Sequence, residues 1–346
     1  MCDLDVYQLR LVVNRGEYRN WRSLKRDDNL RGFALGSQNT KGQTVMLGRI
    51  VKWTAPVAVA ILIAVSCTSS PNITAVPPPS GDTLRVGTYN VHYIILGKQT
   101  GAWSVGDWEE RKGPMDQAFK ALDPDLMAFQ EMESFAGHQG PDINLTLDWL
   151  LAQNPDFAAA SVGDPKVTPW TQPILYRKSR LTLVDQGWFF FSDTPDVIYS
   201  RTFNGSFPAF ASLATFIDKP SGEKVTVVNV HFEFKSISNR LKSAALVVER
   251  IAPLIAAGEK VILLGDINAR PGARTQNILA GAGLDFLPIE GSTYHFNRGL
   301  NLFGAIDHIA LSDGMRAVGA PYVLRQKFDG VWPSDHYPVI ADIAFD

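Results

Sequence analysis

The chain has two cysteines in 346 residues, Cys2 and Cys67, and both precede every segment patterned to fold. No disulfide can staple the folded part, and no cysteine-based zinc site can be built there. Nor is there an apolar run of the ~20 residues a membrane-spanning helix needs, since the longest, Ala55 to Val65, is about half that. A basic surplus is missing too. Residues 1–53 hold 10 Lys+Arg against 5 Asp+Glu, leaving 23 against 30 downstream, which gives no support to tight, sequence-blind binding of duplex DNA through a broad basic face and leaves room only for a small local patch. There is no internal repeat. The 45% of hydrophobic residues is ample for a core.

The N-terminal region reads as an address. Residues 1–45 show no sustained apolar period and are expected to be disordered or to precede the true start at Met46. Residues 46–67 have the layout of an export signal: Arg49 and Lys52 form a basic flank, Ala55 to Val65 the apolar stretch, and Ala64-Val65-Ser66-Cys67 resembles a bacterial lipobox. Lipidation of Cys67 would tie the protein to a membrane outside the cytoplasm, and a plain secretory signal is the alternative. Residues 68–82, with Pro77-Pro78-Pro79-Ser80, read as a tether.

From residue 83 onward, apolar strands and amphipathic helices interleave. Val261-Ile262-Leu263-Leu264 reads as a strand covered on both faces, and Gly265 lets the chain break at its end, where Asp266 and Asn268 emerge. In extended chain those two side chains point the same way and could grip one water or one phosphate-bound metal. Leu84 to Val91 and Leu126 to Glu131 are further strands, tipped by Asn90 and Glu131. Trp108 to Leu122 has helical spacing and is stopped by Asp123-Pro124; Leu145 to Gln153 is another helix. Pro173 to Arg177 and Leu181 to Phe191 are strands joined by a basic turn, and Ala211 to Asp218 with Lys224 to Phe232 form a hairpin. Residues 239–255 read as an amphipathic helix with Leu241, Ala244, Ala245, Val248 and Ile251 inward. Gly304 to Leu311 and Tyr337 to Phe345 close the domain. Several strands are consecutive, so two packed mixed sheets with helices outside fit an α/β chain better than one parallel sheet.

Asn90, Glu131, Asp266, Asn268, Asp307, Asp335 and His336 all fall at strand ends or in the turns after them. Hard oxygen donors without cysteine suit Mg²⁺, Mn²⁺ or Ca²⁺. The ordered series Thr88-Tyr89-Asn90, Trp108-Glu109-Glu110-Arg111, Gln130-Glu131, Asn229-Val230-His231-Phe232, Gly265-Asp266-Ile267-Asn268, Ile306-Asp307-His308-Ile309 and Ser334-Asp335-His336 resembles the endonuclease/exonuclease/phosphatase superfamily of DNase I-like phosphoesterases. The resemblance spans residues 83–346 and implies a four-layer sandwich of two packed mixed sheets flanked by helices. It also implies roles. Glu131, Asn90 and Asp335 would hold the metal, Asp266 with Asn268 would orient or deprotonate the attacking water, and His231 and His336 would bond phosphate oxygens. Asp307 would support the imidazolium of His336, and Arg201 and Arg240 would bind substrate.

The expected activity is hydrolysis of phosphoester bonds, phosphodiesters foremost. A sphingomyelinase-type phospholipid phosphodiesterase and an inactive surface-anchored binding module are the rivals, and the substrate could be nucleic acid, phospholipid or a small phosphate ester. Loop aromatics Trp103, Tyr294, Phe296 and Trp332 are placed to stack on a base or touch a lipid headgroup, whereas Trp188-Phe189-Phe190-Phe191 reads as core.

Overall fold

The computed structural model describes residues 75–135, 143–205 and 207–346, all inside one compact unit, Ile73–Asp346. The expected export signal, Cys67 and the first half of the tether lie outside the described residues. At the described end of the tether, Ser80 donates its backbone N–H to Asp342 Oδ2 at 3.1 Å.

Two β–α–β units dominate the architecture. In the first, β1 (Leu84–Asn90) leads through the short β2 (Ile94–Ile95) into helix α1 (Val105–Leu122) and on to β3 (Leu126–Gln130), which pairs parallel to β1. The helix begins earlier than its apolar spacing suggests because Ser104 Oγ caps Asp107 N, and it ends where Asp123 takes a left-handed φ of 47° before Pro124. Then come β4 (Ser134–Phe135), α2 (Leu145–Gln153), β5 (Phe157–Ala160) and β6 (Ile174–Arg177). The turn after β6 does not make a hairpin; it carries the chain into the other sheet. There, β7 (Leu181–Phe190), β8 (Phe210–Asp218) and β9 (Lys224–His231) run antiparallel.

The second unit joins β9 through helix α3 (Ile237–Ala256) to its parallel neighbour β10 (Lys260–Asp266). The inner stripe of α3 is rotated from the expected one. Asn239, Ser243, Leu246, Val247 and Ile251 are buried and Ala245 is exposed, since Ser243 Oγ bonds Asn239 Oδ1 at 3.1 Å and draws a polar pair into the first turns. Helix α4 (Arg274–Ala280), β11 (Asp285–Phe286), β12 (Asp307–Leu311), β13 (Met315–Ala317), β14 (Tyr322–Val323) and β15 (Val339–Phe345) complete the chain.

The first sheet has the order β13-β15-β1-β3-β6-β5, with β14 on β15; the second runs β11-β12-β10-β9-β8-β7. Alternation sorts their side chains. Leu84, Val86, Leu126 and Ala128 face Val225, Val227, Ile262, Leu264 and Ile309 across the space between the sheets. Tyr89, Met127 and Phe129 pack outward against Met115, Phe119 and Leu147, and Val228, Val230, Val261 and Leu263 against Ala244, Val247 and Ile251. The result is the expected four layers, helix, sheet, sheet, helix. Phe189, Phe190 and Phe191 are core, as read from the sequence, whereas Trp188 is only half-buried and donates its Nε1–H to the Val167 carbonyl at 3.2 Å.

Candidate active site

Each inner-facing series ends in a polar side chain at the same rim. On β1 the period of two runs Leu84, Val86, Thr88, Asn90; on β9, Val225, Val227, Asn229, His231; on β10, Ile262, Leu264, Asp266. Pairing then sets the order across the sheet, because Asp266 is the register partner of His231 on one side and Asp307 on the other. His231, Asp266 and Asp307 thus form a row across three neighbouring strands.

A polar layer seals the core below this rim. Gln130 Nε2 reaches across the sheets to Asn229 Oδ1 at 2.8 Å, while its Oε1 accepts from Thr88 Oγ1 at 3.2 Å. Asn229 Nδ2 donates to the carbonyls of Phe129 and Gln172 at 2.8 and 3.1 Å. These buried groups are mutually satisfied, so they fix the spacing of the sheets at the depth where the site begins.

Asp266 is the hub. It is 1% exposed, and its Oδ2 lies 3.3 Å from Asn90 Nδ2, 3.8 Å from His231 Nε2 and 3.9 Å from His336 Nε2. Burial first, then the Asp307 charge, raises its pKa to about 6 against the pull of His336 and His231. His336 Nδ1 meets Asp307 Oδ2 at 2.9 Å. Burial would lower this imidazole, but the Asp307 charge and hydrogen bond, with Asp266 and Asp335 behind them, lift it to about 10. Asp307 moves the opposite way: burial would raise it, and His336 holds it below the ordinary carboxylate value. The pair is therefore an imidazolium and a carboxylate at neutral pH. His308 points to the other face of β12, where its Nε2 meets the Ala269 carbonyl at 2.9 Å, so it is no partner for Asp307.

Glu131 follows β3 with a left-handed φ of 55°, and that turn brings its carboxylate back over the rim, 3.2 Å from Asn90 Nδ2 and 3.8 Å from His231 Nε2. His92 and Asn268 also adopt positive φ, 61° and 48°. Non-glycine residues held in this region mark a strained, over-determined stretch of backbone. Asp335 lies 4.0 Å from His92 Nδ1 and is half-buried.

Two of the expected ligands to substrate separate. Arg240 is anchored by the carbonyls of Glu233 and Phe234 at 2.8 and 2.9 Å and feels the charge of Asp266. Arg201 is exposed with no site contact described for it. Asn268 leaves the extended register: its N–H bonds Asp266 Oδ1 at 2.8 Å and its Nδ2 is spent on the Phe232 carbonyl at 2.9 Å. It braces Asp266 rather than standing parallel to it, because the chain turns out of β10 directly after Asp266. Among the aromatics, Tyr294 lies 4.9 Å from the His336 ring, with Phe296 beyond it at 4.3 Å. Trp332 instead joins the core edge against His295 and Tyr337.

The sequence reading gave Arg111 no role, yet it ties the site together. Fully buried in α1, it donates to the carbonyls of Val91 at 2.7 Å, His92 at 2.5 Å and Pro333 at 3.4 Å, with Nε on Asp107 at 2.9 Å. One guanidinium thus clamps the loop after Asn90 to the loop before Asp335. The Trp108-to-Arg111 motif signalled it, but its three carbonyl partners could not be read from spacing.

Oxygen donors at this rim suit a hard cation. Asp266, Asp307 and His336 offer atoms within 4.8 Å of one another, but an imidazole that keeps its proton has no lone pair to give. Glu131, Asp266 and Asp335 all bear electrostatically on Tyr294. Carboxylate oxygens are the donor chemistry of Mg²⁺, Mn²⁺ or Ca²⁺. Asn90 turns Nδ2 toward the carboxylates, so only its flipped amide would present oxygen to a cation.

A buried carboxylate and a carboxylate-backed imidazolium at the mouth of a double-sheet sandwich define a phosphoesterase-type enzyme. The chain belongs to the Endonuclease/Exonuclease/phosphatase family, whose sequence model matches residues 87–336. A mannosyl-6-phosphatase of Bacteroides thetaiotaomicron is similar in structure at 24% identity and TM-score 0.64, over 76% of this chain and 100% of that one. The catalytic domain of human Nocturnin with bound sulfate is similar at 17% identity and TM-score 0.54, over 78% and 97%. D. rerio TDP2 complexed with single-strand DNA product is similar at 17% identity and TM-score 0.52, over 76% and 99%. An uncharacterized protein of Acanthamoeba polyphaga mimivirus is 28% identical over 177 residues, 51% of this chain and 64% of that relative's length.

Proposed function

We propose that this protein is a divalent-metal-dependent hydrolase of phosphoester bonds in which Asp266 and His336, 3.9 Å apart, act on one phosphoryl group. The observation that carries the reading is the Asp266–His336–Asp307 arrangement, a buried base of raised pKa facing an imidazolium. A phosphoester repels hydroxide, so its charge must be neutralised before water can attack. Asp266 accepts the proton of the attacking water. His336, held charged by Asp307, donates from Nε2 to a non-bridging oxygen and keeps its proton through the step. His231, partly exposed beside Asp266, contacts a second oxygen, and Arg240 adds positive charge at the rim. The water oxygen bonds to phosphorus, the ester P–O bond breaks, and the leaving alcohol is protonated from solvent. Glu131 and Asp335, with Asn90, are the residues to hold Mg²⁺, Mn²⁺ or Ca²⁺, which when bound supplies Lewis-acid neutralisation of the phosphate.

The test is hydrolysis of bis-p-nitrophenyl phosphate. Chelation by EDTA should abolish it and Mg²⁺ restore it, and Asp266→Ala and His336→Ala should each lose at least ~100-fold in turnover with an unchanged far-UV spectrum. Full hydrolysis in EDTA, or near-normal turnover by either variant, rejects the reading. A complete acid, amide and imidazole set also counts against an inactive binding module. The N-terminal pattern supports export with lipidation at Cys67; loss of membrane association in Cys67→Ser would be the expected sign.

A further inference from the structure

Beside the mouth of the site, two loops form a surface that the chemistry above does not use. One joins β7 to β8 and the other joins β9 to α3. They are tied to each other. Asn204 Nδ2 donates to Ser238 Oγ at 2.9 Å, Ser236 Oγ donates to Asn204 Oδ1 at 3.1 Å, and Gly205 sits so close that a Cβ there would lie 2.5 Å from Glu233 Oε2. The second loop is in turn fixed to the site, since Phe232 N donates to the Asp266 carbonyl at 2.9 Å and Arg240 holds the carbonyls of Glu233 and Phe234.

From this braced base Phe207, Phe234 and Ile237 project into water, 50%, 58% and 64% exposed. Three such side chains on two joined loops make a patch rather than isolated apolar residues. The patch has a positive surround. Residues 201–209 and 232–242 carry Arg201, Lys235, Arg240 and Lys242 against a single acid, Glu233, which is 7% exposed. In a chain whose residues beyond 53 hold 23 Lys+Arg against 30 Asp+Glu, this concentration of cations is local. Lys235 Nζ lies 5.1 Å over the Phe234 ring and Lys242 Nζ 4.8 Å over the Phe203 ring, so both aliphatic stems run along apolar surface while the ammonium groups stay in water.

The possible occupants differ in what they require. A stable protein partner covers about 800 Å² through a core depleted of lysine, whereas this patch offers roughly 300 Å² of apolar surface with lysines in its midst. A nucleic acid would use the cations but would press Ile237, aliphatic and the most exposed of the three, against sugars and phosphates. An anionic bilayer uses both parts, because apolar side chains enter the acyl boundary while lysines remain at the lipid phosphates.

We infer that the joined loops 201–209 and 232–242 dock the protein on an anionic lipid surface, with Phe207, Phe234 and Ile237 entering the bilayer interface and Lys235 and Lys242 at its phosphates. Phe234 follows His231 by three residues, so docking brings that edge of the site close to the bilayer. The inference holds for an active enzyme and an inactive one alike.

Co-sedimentation with vesicles tests it, using the full chain with Cys67→Ser, which no lipid can anchor through that residue. The chain should bind vesicles of equal parts phosphatidylglycerol and phosphatidylcholine about tenfold more tightly than vesicles of phosphatidylcholine alone. Phe234→Ser/Ile237→Ser should lower the first affinity at least about tenfold, and Lys235→Glu/Lys242→Glu should remove the preference for phosphatidylglycerol. Both should keep the native urea midpoint. Residues 55–65 are common to every variant, so only differences between variants are read. Equal binding by the native and Phe234→Ser/Ile237→Ser chains, or native binding indifferent to phosphatidylglycerol, overturns the inference. So does a native dimer in light scattering that Phe234→Ser/Ile237→Ser abolishes, which would make the patch a face between copies. Tighter binding of a single-stranded oligonucleotide than of vesicles, lost in Lys235→Glu/Lys242→Glu, overturns it as well.

Discussion

Replacing Asp307 by Asn removes one charge and leaves the shape of the site nearly unchanged. In the native site His336 is lifted to about 10, although its burial alone would place it below an ordinary histidine near 6.5. That interval corresponds to roughly 5 kcal/mol of preference for the imidazolium, of which Asp307 at 2.9 Å is the chief source. Without the carboxylate, His336 should titrate at or below about 6.5, so at pH 8 only about 3% would stay charged. Turnover at pH 8 should fall by about 30-fold, with partial recovery as the pH is lowered toward 6.5. Below about 6, protonation of Asp266 cuts off that recovery.

The same substitution has a stability signature. A histidine whose pKa is raised on folding stabilises fully below its unfolded value and loses that contribution as pH rises toward 10; Asp307, lowered on folding, contributes above its unfolded value near 3.8 and loses it as pH falls. The stability gap between native protein and Asp307→Asn should therefore be widest between about pH 4 and 6.5 and shrink toward pH 10. Imidazole nitrogen NMR gives the His336 titration directly, and urea unfolding across pH gives the gap. A variant whose His336 still titrates near 10, or whose turnover at pH 8 is unchanged, refutes the reasoning.

Two further substitutions test how the rim is held. Gly265 has φ +144°, and a Cβ there would lie 2.0 Å from the carbonyl oxygen of Val230, its partner on the parallel strand, so Gly265→Ala should cost upwards of about 3 kcal/mol in urea unfolding; a loss under about 1 kcal/mol would show that β9 and β10 can part. Arg111→Met keeps length but strands the carbonyls of Val91, His92 and Pro333, and should lower stability by about 2–4 kcal/mol and turnover with it; Arg111→Lys, which restores charge without the fork, should recover only part of either, and full recovery would mean that charge alone suffices.

Much of this site was legible because strand alternation is rigid. Once Leu264 is read as inward, Asp266 must be inward too, and the same holds for Val227, Asn229 and His231. What alternation cannot reach is what lies past the strand. Asn268 was read as extended with Asp266, but the chain turns after β10 and its amide goes to Phe232. Arg201 was placed by resemblance in a loop whose path the sequence does not encode, and it stands exposed without a site contact. The basic turn Arg177 to Arg180 reads only as a junction of two strands, because local sequence does not say whether the next strand pairs with the last. In the fold, Arg177 goes to Asp123 and Arg180 to Asp218, on elements distant in sequence. Trp332 reads as free to stack on a base or a headgroup but packs on His295 and Tyr337, since loop aromatics look alike until their neighbours are known. The α3 stripe turned because a buried Asn239–Ser243 pair carries no hydrophobic signal.

The order of the strands has a consequence for when the enzyme comes into being. Strand β15 is the last segment of the described chain, yet it pairs with β1, the first, in the interior of its sheet. His336 is delivered on the approach to that strand. A chain lacking Val339–Phe345 leaves β1 with an open seam, and the segment that carries His336 loses the strand that anchors it in the sheet. Hydrolytic capacity would then arise only when β15 closes against β1, and not piecemeal as either β–α–β unit forms.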